Sequence, residues 1–166
     1  MNKFLVGALI LMYSSLNLSH AEEVSFIEAD HMEWYEATGI TEFSGSVRYR
    51  YPTEQITILS ETLKIHRKGN QLISVTAKGQ PVQFEGLTDE ANVVKGQSIH
   101  LHYDAQSEMV ELNGDAQLQT GKDNLRGERI TYNMQTQKAE ASGDVTQGKR
   151  FEAVIHSSPE QKEPSK

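Results

Sequence analysis

The 166-residue chain contains no cysteine. No disulfide can staple it, so burial and hydrogen bonding alone must hold its fold. Positive charge is scarce: 16 lysines and arginines against 23 acidic residues leave a net charge of −7, with no basic cluster. That balance excludes nucleic acid, whose phosphates would repel the chain, and it offers an anionic membrane surface nothing to hold. No apolar run is long enough to span a bilayer; Phe4 to Tyr13 falls well short of the ~20 residues a spanning helix needs. Signatures of catalysis are missing too. The serines form no nucleophile elbow, no glycine loop opens a helix to cradle phosphate, and no helical period is sustained. Acidic residues are spread over outward strand positions and read as a solvated surface.

The N-terminus has the form of a secretory signal. Lys3 supplies a positive start, the apolar run follows, Ser14, Ser15 and Asn17 break it, and Ser19-His20-Ala21 places small residues at a cleavage site. Cleavage after Ala21 is expected to release the chain into a periplasm-like compartment; an uncleaved anchor is the alternative. Residues 1–21 carry one lysine and no acid, so the net charge then becomes −8. The remainder suffices for one domain with a core, expected over 22–156. Residues 157–166, with Pro159 and Pro164, read as a disordered tail.

What the chain has in abundance is repetition. An apolar residue, a small residue two places on, two polar residues and then alternating apolar residues recur four times. The copies begin at Ile27, Ile58, Val94 and Leu125, spaced 31, 36 and 31 residues apart. Between them lie alternating runs that contain Gly45, Gly79, Gly114 and Gly143. Periods of this length mean stacked units, none of which closes a core alone.

Inside each copy the apolar parity slips by one. Ile58 and Ser60 are even whereas Leu63 and Ile65 are odd; Ile27/Ala29 against Met32/Trp34, Val94/Gly96 against Ile99/Leu101, and Leu125/Gly127 against Ile130/Tyr132 repeat the slip. A slip would turn the apolar face outward unless the strand bends there. Gly79, with Pro81 beyond it, marks another such point. The expected fold is therefore all-β: a bent jelly roll of two facing antiparallel sheets, about 14–16 short strands in seven or eight layers at ~4.8 Å spacing, open at both ends. Unpaired edges invite strand addition there. Residues 22–32 have room for one short helix.

His100-x-His102 with Glu108 is the nearest thing to a metal motif, and a metal-dependent jelly-roll enzyme is the rival it suggests. Parity argues against it, because Ile99, Leu101 and Tyr103 own the inward face and the histidines point out. The informative chemistry is the inward set: Met32, Trp34, Phe43, Val47, Tyr49, Ile65, Val75, Phe84, Ile99, Leu101, Tyr103, Leu112, Leu118, Ile130 and Tyr132. An ordinary sandwich core would look the same. A stacked, open-ended trough would also accept acyl chains without burying charge. No metal, cofactor or catalytic group is expected.

Ala29-Asp30-His31-Met32, Thr38-Gly39-Ile40 running to Gly45-Ser46-Val47, Gly79-Gln80-Pro81-Val82, Gly114-Asp115-Ala116, and Leu125-x-Gly127 leading to Tyr132-Asn133 resemble, in order and spacing, the OstA-like domain family. The resemblance covers about residues 24 to 146. It implies a periplasmic lipopolysaccharide carrier whose interior, lined by the inward set, takes lipid A acyl chains. It implies head-to-tail self-association, an LptC-like inner-membrane protein at the N-terminal edge and an LptD-like outer-membrane protein at the C-terminal edge. An LptC-like anchored component of the same system is the alternative.

Overall fold

The computed structural model describes residues 25–51, 55–87 and 92–156. The expected signal segment 1–21 and tail 157–166 lie outside the described residues. Ten strands run β1 (Phe26–Glu28), β2 (His31–Tyr35), β3 (Ile40–Tyr51), β4 (Ile56–Lys68), β5 (Gln71–Leu87), β6 (Val93–Asp104), β7 (Met109–Thr120), β8 (Asp123–Asn133), β9 (Ala139–Ser142) and β10 (Glu152–Val154). All are antiparallel neighbours in one sheet, ordered β1-β3-β4-β5-β6-β7-β8-β10, with β2 also on β3 and β9 also on β8. Short polar turns join consecutive strands, as at Gly69-Asn70 and 105–108. The described part of the region expected to hold a short helix, residues 25–32, carries strand instead: β1 and β2 pair with opposite ends of β3, and that pairing outweighs a weak local preference.

The two expected sheets are two walls of this single sheet. Every pairing between β3 and β8 shifts register near mid-strand, at Ser44/Val47, Leu59/Thr62, Lys78/Val82, Gln97/His100 and Asn113/Ala116. These bulges line up and fold the sheet along one spine. The six long strands each cross both walls; β2 and β9 lie on the first wall, and β1 and β10 on the second. Counted by wall, the segments reach the number that alternation predicts; counted by hydrogen bonding, the bend interrupts none of the six.

Two devices turn the corner. In β4, β6 and β8 the inward parity slips, as the repeat requires. In β3 and β7 parity looks unbroken, yet Gly45-Ser46 (φ 84° and 47°) and Gly114-Asp115 (φ 79° and 46°) adopt left-handed backbone. Such positions favour glycine at the first residue of a bulge. Gly45 is constrained further, since a Cβ there would lie 2.2 Å from the Asp30 carboxylate. Asp30 sits at the corner between β1 and β2, and its backbone N–H donates to the carbonyls of Ser44 and Gly45, both at 3.1 Å.

Cross-strand partners stack into rows that run across all eight layers. On the first wall Met32, Phe43, Leu63, Ala77, Leu101, Leu112, Ile130 and Ala141 form one row. On the second, Ile27, Tyr49, Ile58, Phe84, Gly96, Leu118, Leu125 and Ala153 form its counterpart. The walls meet across the interior: a Cβ on Gly96 would stand 2.9 Å from Leu112 Cδ1. Leu101 is 1% exposed, and its neighbour His100 points to solvent. Leu101→Ala should cost about 2–5 kcal/mol by transfer and cavity energies, and His100→Ala about 0.5 kcal/mol or less. Urea midpoints at unchanged slope measure both.

Candidate functional site

Eleven of the fifteen inward residues are buried between the walls: Val47, Tyr49, Ile65, Val75, Phe84, Leu101, Tyr103, Leu112, Leu118, Ile130 and Tyr132. Burial pushes the Tyr132 phenol above its ordinary pKa, which keeps it neutral. Phe43 and Ile99 are half-buried. Ile99 sits on the bend itself, because in β6 the slip falls after the buried Ser98 rather than after Gly96; its side chain packs over Gly114.

Met32 and Trp34 depart from the expected burial, with 56% and 65% exposure. Register still places them on the inward face, opposite Phe43 and Thr41. They are exposed because β2 is the outermost layer among the described residues, paired on one side only, with β3. This exposed end is a mouth. A cavity of about 440 Å³ opens there, lined by Trp34, Phe43 and Ile65 from the first wall and Ile27 from the second. Glu36 and Arg67 stand at its edge. The short 3-10 turn Glu36–Thr38 is clamped to β4: the Arg67 N–H donates to the Gly39 carbonyl at 2.9 Å, and its guanidinium donates to Ser25 Oγ at 3.1 Å.

Deeper in, the interior is closed. The cavity among Tyr49, Ile58, Val75, Phe84, Leu101 and Val110 measures about 10 Å³, room for roughly one water. On the spine side, backbone joins the walls. On the turn side, among the described residues, side chains meet, among them Met134, whose Cε would lie 3.4 Å from a Cβ on Gly86. Parting the walls along that turn-side seam would break none of the strand pairings.

At the far end β9 and β10 present small inward residues, Ala139, Ala141 and Ala153. Between them residues 143–151 loop out at the corner. The Asp144 carboxylate accepts from Thr146 Oγ1 and from the Thr146 and Gln147 N–H groups, which hold its pKa below the ordinary range. Among the described residues the large exposed apolar side chains gather at the two ends: Phe26, Met32, Trp34 and Tyr35 at the mouth, and Val145, Phe151, Val154 and Ile155 at the far end, with Val93 the exception.

The outer face of the first wall is polar. Lys64 pairs with Glu42 at 2.6 Å, and Arg129 with Glu111 at 2.7 Å. His102 Nδ1 shares a hydrogen bond with Thr76 Oγ1 at 3.1 Å. His100 and His102 both face outward, and among the described residues no group of three His, Asp or Glu is assembled that could hold a metal. The inward set omits buried residues such as Leu63, Val94 and Val110, of which the first two stand in the repeat itself; the open mouth has no sequence signal, since Met32 and Trp34 carry the same parity as buried residues.

The Arg129 guanidinium, and after it the Asn113 amide, holds the Glu111 carboxyl below the ordinary carboxylate range. A lowered folded pKa adds stability above the unfolded value and loses it as pH falls through the folded one. Arg129→Ala should therefore lower the thermal midpoint at pH 7. The deficit should shrink once pH drops below about 4.5 and vanish when Glu111 is protonated in both proteins; melts across pH 2–7 measure it.

The LptA/(LptD N-terminal domain) LPS transport protein family matches residues 26–138. The chain is 29% identical over 131 residues to the lipopolysaccharide export system protein LptA of Escherichia coli K12, across 78% of this chain and 69% of that protein. It is 31% identical over 77 residues to LptA of Haemophilus influenzae, across 46% of this chain and 45% of that protein. Among solved structures it is similar in fold to LptH, the LptA-homologous periplasmic component of the lipopolysaccharide transport device of Pseudomonas aeruginosa. That match has a TM-score of 0.71 at 21% identity and covers 82% of this chain and 97% of the other.

Proposed function

From the premise that this chain belongs to the LptA/(LptD N-terminal domain) family of lipopolysaccharide transport proteins, we propose that it is the periplasmic carrier of such a system, exported by a cleaved signal, and that it holds lipid A acyl chains between its two walls. Its role is transport rather than catalysis. The observation that carries the reading is the pair of apolar rows running unbroken through all eight layers, from the mouth to β9 and β10. A row of that kind offers an acyl chain the same environment at every step, so the chain can slide without desolvating a charge. The guest enters by separating the walls at the seam, because the resting interior has no space for it. Photo-crosslinkers at Phe43, Leu101 or Tyr132 should capture lipopolysaccharide, and those at His100 or Glu111 should not. Equal labelling from both faces would remove the interior as the site.

The ends serve assembly. The mouth, with β1 and β2 at its edge, is where an LptC-like inner-membrane partner or the preceding copy would pair; β9 and β10 would meet the next copy or an LptD-like outer-membrane partner. Exposed apolar side chains on two opposite edges support a heterologous, head-to-tail contact, which propagates rather than closes. Val154 is 56% exposed on the terminal strand. Val154→Asp should shift concentrated protein toward monomer in analytical ultracentrifugation while leaving its melting midpoint within a degree or two, as an exposed substitution does.

A further inference from the structure

Among the described residues, one buried side-chain polar atom has no hydrogen-bond partner. Ser60 Oγ is buried and makes no hydrogen bond; the residue is 9% exposed. Its partner in register is Val47, itself 1% exposed, so the hydroxyl shares the inward face at the spine of the bend. The repeat makes this position informative. The small residue of the repeat is Ala29, Ser60, Gly96 and Gly127 in the four copies, and in β6 the slip itself falls one inward position later, after Ser98. Three copies meet the need for a small side chain with nothing polar. Ser98, the other buried serine, is satisfied: its hydroxyl donates to the His100 carbonyl at 2.8 Å. A buried hydroxyl left unpaired is a cost to the free chain, and Gly127, at the same place in the last copy, lets β8 turn its corner without one.

Building on the acyl-chain reading above, we propose that Ser60 is a specificity-determining contact for a hydroxyl group carried on the guest's acyl chain. The spine lies opposite the seam, on the deep side of the trough, which the chain reaches rather than its head group. A chain hydroxyl buried there would itself lack a partner. Ser60 Oγ is both donor and acceptor, so the two groups satisfy each other. Ser60 also stands on β4, the strand that supplies Ile65 and Arg67 to the mouth, so it meets the guest early in its passage.

The test compares tetradecanoic acid with β-hydroxytetradecanoic acid, by calorimetry or fluorescent-probe displacement, on the full chain and on Ser60→Ala. The natural protein should prefer the hydroxylated acid by about 3- to 10-fold, the value of one net hydrogen bond. Ser60→Ala should bind the two alike, and in the free state it should melt at a higher temperature because an unpaired hydroxyl has gone. An unchanged preference in Ser60→Ala, no preference in the natural protein, or a lower melting temperature would overturn the assignment of Ser60 and leave the acyl-chain reading standing. Failure of both acids to bind the natural protein would overturn that reading and this inference together.

Discussion

The structure depends on one constraint: six strands must turn the same corner without giving up their backbone hydrogen bonds. A strand that simply stopped would leave donors and acceptors unpaired inside the molecule, at a cost no local contact offsets. The chain meets the demand with aligned bulges, at Ser44/Val47, Leu59/Thr62, Lys78/Val82, Gln97/His100 and Asn113/Ala116. Alignment matters as much as the bulges do. Because the corners stack, the inward faces stay in register from layer to layer, and two continuous apolar rows result. The trough is a consequence of that registry.

The same geometry sets how the trough can move. Backbone joins the walls along the spine, and among the described residues side-chain packing joins them at the turn side, where Met134 and Phe84 both lie close to Gly86. Stiffness on one edge and separable contacts on the other make a hinge. The closed interior and a chain-sized guest are thus compatible, since opening spends packing energy and leaves the ladder intact. The absence of disulfides suits that motion, because nothing covalent holds the seam.

Alternation made much of this legible in advance. The parity slip in β4, β6 and β8 was visible in residues such as Ser60 and Leu63, because a period-two pattern cannot change face without a bend. The corners in β3 and β7 were hidden. Gly45-Ser46 and Gly114-Asp115 each take up an extra residue in left-handed backbone, which restores parity and erases the signal. At the N-terminus, residues 22–32 have room for a helix by local pattern alone, since strands as short as β1 and β2 owe their form to the β3 partner that covers them. Most of the inward set was readable for the same reason as the bend. Met32 and Trp34 were read correctly as to face and wrongly as to burial, for exposure depends on whether another layer follows.

The amino-acid sequence by itself determined the fold class, the number of layers, the inward face of most strands, and a chemistry without catalytic groups. These follow from local periodicity and composition, which each segment carries within itself. Tertiary structure alone decided that the two walls are one sheet, that the middle of the interior is shut while a cavity opens beside β2, and that Ser60 is buried without a partner. Those properties depend on what lies across a 10 Å interior or beyond the last strand. No stretch of chain records its neighbours across space; folding brings them together.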